Sequence, residues 1–198
     1  MSKSLLAITL AAALIACGQK AEQKPPSQTQ NTPPQQPVAE APTATTARPQ
    51  APRPAMKQSA AKVWVDQVTA AKGSSGSFKI HYTGVEKSRA MVVPLTFPEG
   101  MKVDSVSFAN SMVSYVSTHP VRIDNDRRLL LVTTIPTTEP DIPIATGVVA
   151  TVYFQLGQNA VSGPIDETFI PPGNYLAYVD TTSALIEPQF EPGQLTVK

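Results

Sequence analysis

Thiols are almost absent: Cys17 is the only cysteine in 198 residues, so no internal disulfide can form and the fold must be stable by packing alone. Histidine is nearly as scarce. His81 and His119 are 38 residues apart, and His119 precedes Pro120 in an apparent turn, which leaves no clustered imidazoles for a metal site or a nucleophile's base. Gly73-Ser74-Ser75-Gly76 lacks the spacing of a nucleophile elbow and reads as a turn. The nearest carboxylate pairs, Asp124 with Asp126 and Asp166 with Glu167, read as turn and solvated-loop residues rather than as a glycosidase acid and base. Asp124-Asn125-Asp126 begins like a calcium loop, but the glycine and the distant glutamate of that motif are missing, so only casual calcium binding is left open. A large charge of one sign is lacking too. From Ala61 to Lys198 ten Lys and Arg face thirteen Asp and Glu, and an acidic domain argues against nucleic acid, whose phosphates require a basic patch. These absences lead us to expect no catalysis, no cofactor and no dedicated metal site.

What is present starts at the amino terminus. Lys3 is followed by the apolar run Leu5–Ala16 and by small residues at a cleavage point, the layout of an export signal. A run this short falls below the ~20 residues needed to span a bilayer. Leu14-Ile15-Ala16-Cys17-Gly18 resembles the lipobox of bacterial lipoproteins. The resemblance implies that residues 1–16 are a lipoprotein signal peptide and that the Cys17 thiol is acylated, with palmitate among its chains, and becomes the first residue of the mature protein. The chain is then exported and held on a bacterial membrane through Cys17. Gly18 favours the outer membrane or cell surface over the inner membrane. With Cys17 acylated no thiol is left free, which removes cysteine catalysis as well.

Residues 17–60 read as a linker. Pro25, Pro26, Pro33, Pro34, Pro37, Pro42, Pro49, Pro52 and Pro54 stand among Gln, Thr and Ala, with no aromatic residue and Val38 as the one β-branched aliphatic. Such a segment cannot bury enough apolar surface to offset its ordering entropy, so disorder with a polyproline II bias is expected. Fully extended at ~3.1 Å per residue, it would reach on the order of 120 Å.

From residue 61 onward the hydrophobic period becomes two. Phe78, Ile80 and Tyr82 alternate with Lys79, His81 and Thr83, and Met91, Val93, Leu95 and Phe97 repeat the pattern. Further runs at 103–108, 112–117, 120–124, 129–135, 148–156, 175–180 and 194–197 are separated by Gly, Pro, Asn and Asp clusters. The spacing predicts an all-β domain over 61–198, a single β-sandwich of eight to ten short strands. The runs 129–135 and 148–156, apolar on both faces, should be central. Pro94, which cannot donate to a ladder, should sit at a bulge or on an edge. Tyr153 is out of phase with Val152 and Phe154 and should point outward. Tyr115 and Tyr178 are read the same way, and with Arg122 the three tyrosines form the candidate binding face. The alternative is that loops cover this second face and the tyrosines belong to the core.

Several stretches together resemble the cohesin-like modules of bacterial exported proteins. They are Val63-Trp64-Val65-Asp66, Val92-Val93-Pro94-Leu95-Thr96-Phe97, Val103-Asp104-Ser105-Val106-Ser107-Phe108, the Gly147-led strand to Phe154, and the segment from Phe169 to Gly193. The resemblance spans Val63 to Val197 and implies a jelly-roll (immunoglobulin-like) β-sandwich of about nine strands that docks a dockerin-like protein through one sheet face. The Tyr-Asp turn of that family is replaced by Phe97-Pro98-Glu99-Gly100, and only one module is present, so no dockerin-contact residue is carried over. Two other readings stay open, a carbohydrate-binding module for polysaccharide and an accessory subunit that lends an edge strand to an envelope assembly. A coplanar strip of exposed Tyr and Trp would favour sugar. A mixed apolar and polar face would favour protein, and an unpaired, uncharged edge would favour strand addition.

Overall fold

Alternating side chains give each extended segment one apolar side, which can be covered only when paired strands turn those sides toward one another. The computed structural model describes residues 54–198, so the signal segment, Cys17 and the linker up to Arg53 lie outside the described residues. Twelve strands result. The first six are β1 (Lys57–Val65), β2 (Gln67–Ala70), β3 (Ser75–Thr83), β4 (Ser88–Thr96), β5 (Met101–Ser107) and β6 (Val121–Asp124). The remainder are β7 (Leu129–Thr134), β8 (Thr146–Leu156), β9 (Gly163–Glu167), β10 (Ala177–Asp180), β11 (Leu185–Glu191) and β12 (Gly193–Val197). One layer runs β5-β8-β3-β1-β11, and β10 links it to a second layer built from β6-β7-β4 and continued by β9, β12 and β2. The result is the all-β jelly-roll sandwich expected from the sequence.

The strand count exceeds nine because two long strands break and change layer. β1 pairs with β3 and β11, whereas β2, one residue further on, pairs only with β12. β11 and β12 break in the same way at Pro192, which cannot donate to a ladder. The two breaks meet. A Cβ on Gly193 would lie 2.6 Å from the Asp66 carbonyl oxygen and 2.7 Å from Val65 Cγ1, so only glycine fits there. The strand β1 also begins four residues earlier than the domain limit set at 61.

The core lies between the layers. Val63, Phe78, Ile80, Val152 and Phe154 from one side meet Met91, Val93, Leu95, Leu130 and Val132 from the other. Phe78 and Phe154 tilt against each other with centroids 6.2 Å apart. Both expected central strands are interior, β7 between β4 and β6, and β8 between β3 and β5.

Two expectations are corrected. The run Met112–Ser117 is not a strand. Val113 and Val116 are buried three residues apart, Val116 N–H donates to Val113 O at 3.0 Å, and Asn110 takes a left-handed φ of 59°, so the segment is a chain of turns. Pro94 is neither on an edge nor at a bulge. It lies inside β4, whose partner on one side changes from β10 at residues 88–92 to β9 at 95–96. Its missing N–H faces that handover, where its carbonyl accepts the Thr168 N–H at 3.1 Å. The bulge rule is met instead at Pro188, inside the register shift between β1 and β11.

Candidate docking faces

Alternation within each strand determines what the two layers present to solvent. On β5-β8-β3, cross-strand rows read Ser105, Tyr153, Ser77, then Lys102, Gln155, Ser75, then Ser107, Thr151, Lys79. Tyr153 is 45% exposed, a single aromatic ring among hydroxyls and charges. Trp64 on β1 occupies the same face, but its ring is stacked on His81 at 4.9 Å and 6°. The Lys62 ammonium, paired with Glu191 on the other flank, lies 5.9 Å from the Trp64 centroid. The indole is therefore engaged by a stacked imidazole and lies within cation–π reach of an ammonium, which leaves less of it free as a platform for a sugar ring. His81 Nε2 is held by Asp66 Oδ1 at 2.7 Å, which orients the imidazole in the stack.

The second layer differs. Its rows read Thr133, Val92, Ala177, then Arg122, Leu131, Pro94, then Asp124, Leu129, Thr96, Asp166. Leu129, Leu131 and Val92 are half-buried, with Pro94 sunk among them. Arg122 is outward and well exposed beside Asp124, their charged atoms 4.0 Å apart. An aliphatic centre inside a charged rim is the anatomy of a protein interface.

The four candidate residues do not converge. Arg122 belongs to the aliphatic face and Tyr153 to the opposite layer. Tyr115 is 41% exposed in the turns after β5 and donates its hydroxyl to Asp141 O at 3.0 Å. Tyr178 overturns the outward reading. It is 1% exposed because its position in β10 faces Ile186 and Tyr82 in the core, and its hydroxyl bonds Glu86 Oε1 at 2.6 Å and Ser59 at 2.8 Å. Burial, then the hydrogen bond to Glu86, pushes that phenol well above its ordinary value. What the sequence reading missed is the aliphatic row. Leu129 and Leu131 were visible as the second apolar side of their run, the one signal that could have found it.

The carboxylate pairs take structural duties. Asp124 Oδ1 accepts the Arg127 N–H at 3.1 Å and closes the β6–β7 turn, and Asp166 Oδ1 accepts the Glu167 N–H at 2.8 Å. Glu139 caps a loop through the N–H groups of Ser117, Thr137 and Thr138, and hydrogen bonds from Ser117 and the loop backbone hold it well below the usual carboxylate range. His119 is stacked on Phe108 at 3.8 Å, with Nδ1 3.3 Å from Thr134 Oγ1. Its Nε2 is buried without a well-placed partner, the Val116 and Val113 carbonyls lying near but poorly aligned, so burial prevails and lowers its pKa. Among the described residues no group of three His, Cys, Asp or Glu could hold a metal ion. The edges are guarded: β2 and β6 have four residues each, and β5 carries Lys102, Asp104 and a register shift.

No family model matches the chain, and no curated protein matches it. Solved structures do. A cohesin crystallised with a dockerin, Coh-OlpA–Doc918 from Clostridium thermocellum, is similar with TM-score 0.60 and 13% identity over 71% of this chain and 100% of its own. The third cohesin of ScaC from Acetivibrio cellulolyticus, in complex with the ScaB dockerin, gives 0.58 and 19% over 69% and 98%. A non-cellulosomal cohesin from the archaeon Archaeoglobus fulgidus gives 0.55 and 12% over 71% and 92%. The described domain is thus cohesin-like in fold.

Proposed function

We propose that this chain is a non-catalytic docking module that binds a protein partner through the outer face of β6-β7-β4 and is anchored to the outer membrane or cell surface by acylated Cys17. The observation that carries the docking is the aliphatic centre of Leu129, Leu131, Val92 and Pro94 within a rim of Arg122, Asp124 and Asp166. The cohesin-like fold supports it, since two of the similar structures are cohesins in complex with dockerins. Polysaccharide is the weaker reading because Trp64 is stacked on His81 and Tyr153 stands alone. Strand addition is weakened by short or charged edges. Capture from the cell's own envelope extract, before and after proteinase treatment, tests the partner class, with a glycan array run in parallel. Capture abolished by proteinase with a silent array supports protein docking, and array binding unaffected by Leu131→Asp contradicts it. For the anchor, Cys17→Ser should remove palmitate label and detergent-phase partitioning together; a variant still labelled and processed at residue 17 refutes it.

A further inference from the structure

Exposed apolar side chains gather at one end of the sandwich. Ile144 is 61% exposed, Leu185 47% and Val85 45%, and Tyr115 joins them. Thr83 pairs with Thr146, and Gly84 N–H donates to Ala145 O at 2.9 Å, which sets Val85 opposite Ile144 across two adjoining loops. The loop bearing Ile144 is pinned from below: Ile142 is fully buried and bonds Ser88 in both directions, at 2.8 and 3.1 Å. Pro143 stiffens it, so Ile144 is held out of the core. Tyr115 reaches the same loop through Asp141 O. Leu185 starts β11, where Ile186 pairs with Lys57 at the beginning of β1. The chain that leads back to Cys17 therefore joins the domain at this apolar tip. At the opposite end Val161 is the exposed large hydrophobic.

We propose that this tip, centred on Val85 and Ile144 with Leu185 and Tyr115 beside them, inserts shallowly into the phospholipid surface that carries the acylated Cys17. The proposal rests on the anchor reading above. Thirty-six residues separate Cys17 from Pro54, so a proline-rich chain of that length would reach at most about 110 Å at ~3.1 Å per residue. Tethering within that reach keeps the tip far more concentrated at the surface than a free protein would be, so a weak apolar contact is populated. The segments that meet at this end carry Lys57, Lys87 and Arg89 against Glu86, Glu139, Asp141 and Asp180, with no excess of positive charge, so the contact is apolar rather than electrostatic and does not require anionic lipid.

The test uses residues 17–198, which contain every core residue among the described ones, coupled through their only thiol to maleimide-bearing lipid in phosphatidylcholine vesicles. Coupling replaces biological acylation, so the result stands whether or not cells acylate Cys17; the Cys17→Ser labelling experiment decides that separately. Amide exchange over 84–87 and 141–145 should slow by about threefold or more relative to the chain capped at Cys17 with N-ethylmaleimide, while 98–101 is unchanged. Val85→Asp combined with Ile144→Asp should abolish the slowing without altering the melting temperature. Equal exchange in the coupled and capped chains overturns the proposal, as does slowing that survives the double substitution. Slowing that rises with protein concentration in the capped chain without vesicles also overturns it, and would put a second copy on the tip.

Discussion

Phe154 and Tyr153 are sequence neighbours in β8 with opposite environments. Phe154 is fully buried against Phe78, and Tyr153 stands in solvent between two serines. Phe154→Ala empties a packed site and should cost about 3–5 kcal/mol in urea denaturation. Tyr153→Ala should cost well under half as much, and equal losses would mean that both sides of β8 are buried. Glu139 supplies a pH dependence at the same scale. Its folded-state pKa is depressed by the Ser117 and loop hydrogen bonds, so its contribution is complete above the unfolded value of ~4.3 and fades as pH falls through the folded one. The urea midpoint of the wild type should therefore drop between about pH 5 and pH 2, and that of Glu139→Gln should drop less. Asp180, depressed by Thr182 and Ala184, leaves a residual dependence in the variant.

At the scale of elements, the crossing of β1–β2 with β11–β12 is the joint on which the jelly-roll turns. Gly193→Ala forces its Cβ against Asp66 O and Val65, and should destabilise by about 1–3 kcal/mol with a matching loss of melting temperature. Strands with clean alternation, β3 and β4, were legible because one face of each is buried by the opposite layer. The strands β9 and β11 were not, since Pro164 and Pro188 break the donor pattern that makes a run read as a strand. Tertiary partners tolerate both prolines. The layer changes at Asp66 and Pro192 depend on contacts between the first and last strands, which no local period encodes. Val113 and Val116 failed as a strand signal because burial at a spacing of three is compatible with turns. The site was less legible than the fold. Alternation placed Tyr153 outward correctly but could not reveal that Tyr178 faces the core or that Leu131 aligns with Pro94 and Arg122.

At the scale of the molecule, every buried core residue among the described residues lies at Ala61 or beyond. Deleting residues 19–53 should therefore leave the melting temperature within about 2 °C of the intact chain. A larger drop would show that part of the proline-rich segment packs on the domain. The central claim is that the face of β6-β7-β4, not the face around Tyr153, docks the partner. The most direct measurement is the dissociation constant of the captured envelope protein for three forms of the chain: wild type, Leu131→Asp and Tyr153→Ala, with melting temperatures recorded for each. Leu131→Asp should weaken binding by about 100-fold, while Tyr153→Ala should change it by about twofold at most, and neither should lose the fold. Binding that survives Leu131→Asp but collapses with Tyr153→Ala would contradict the central claim.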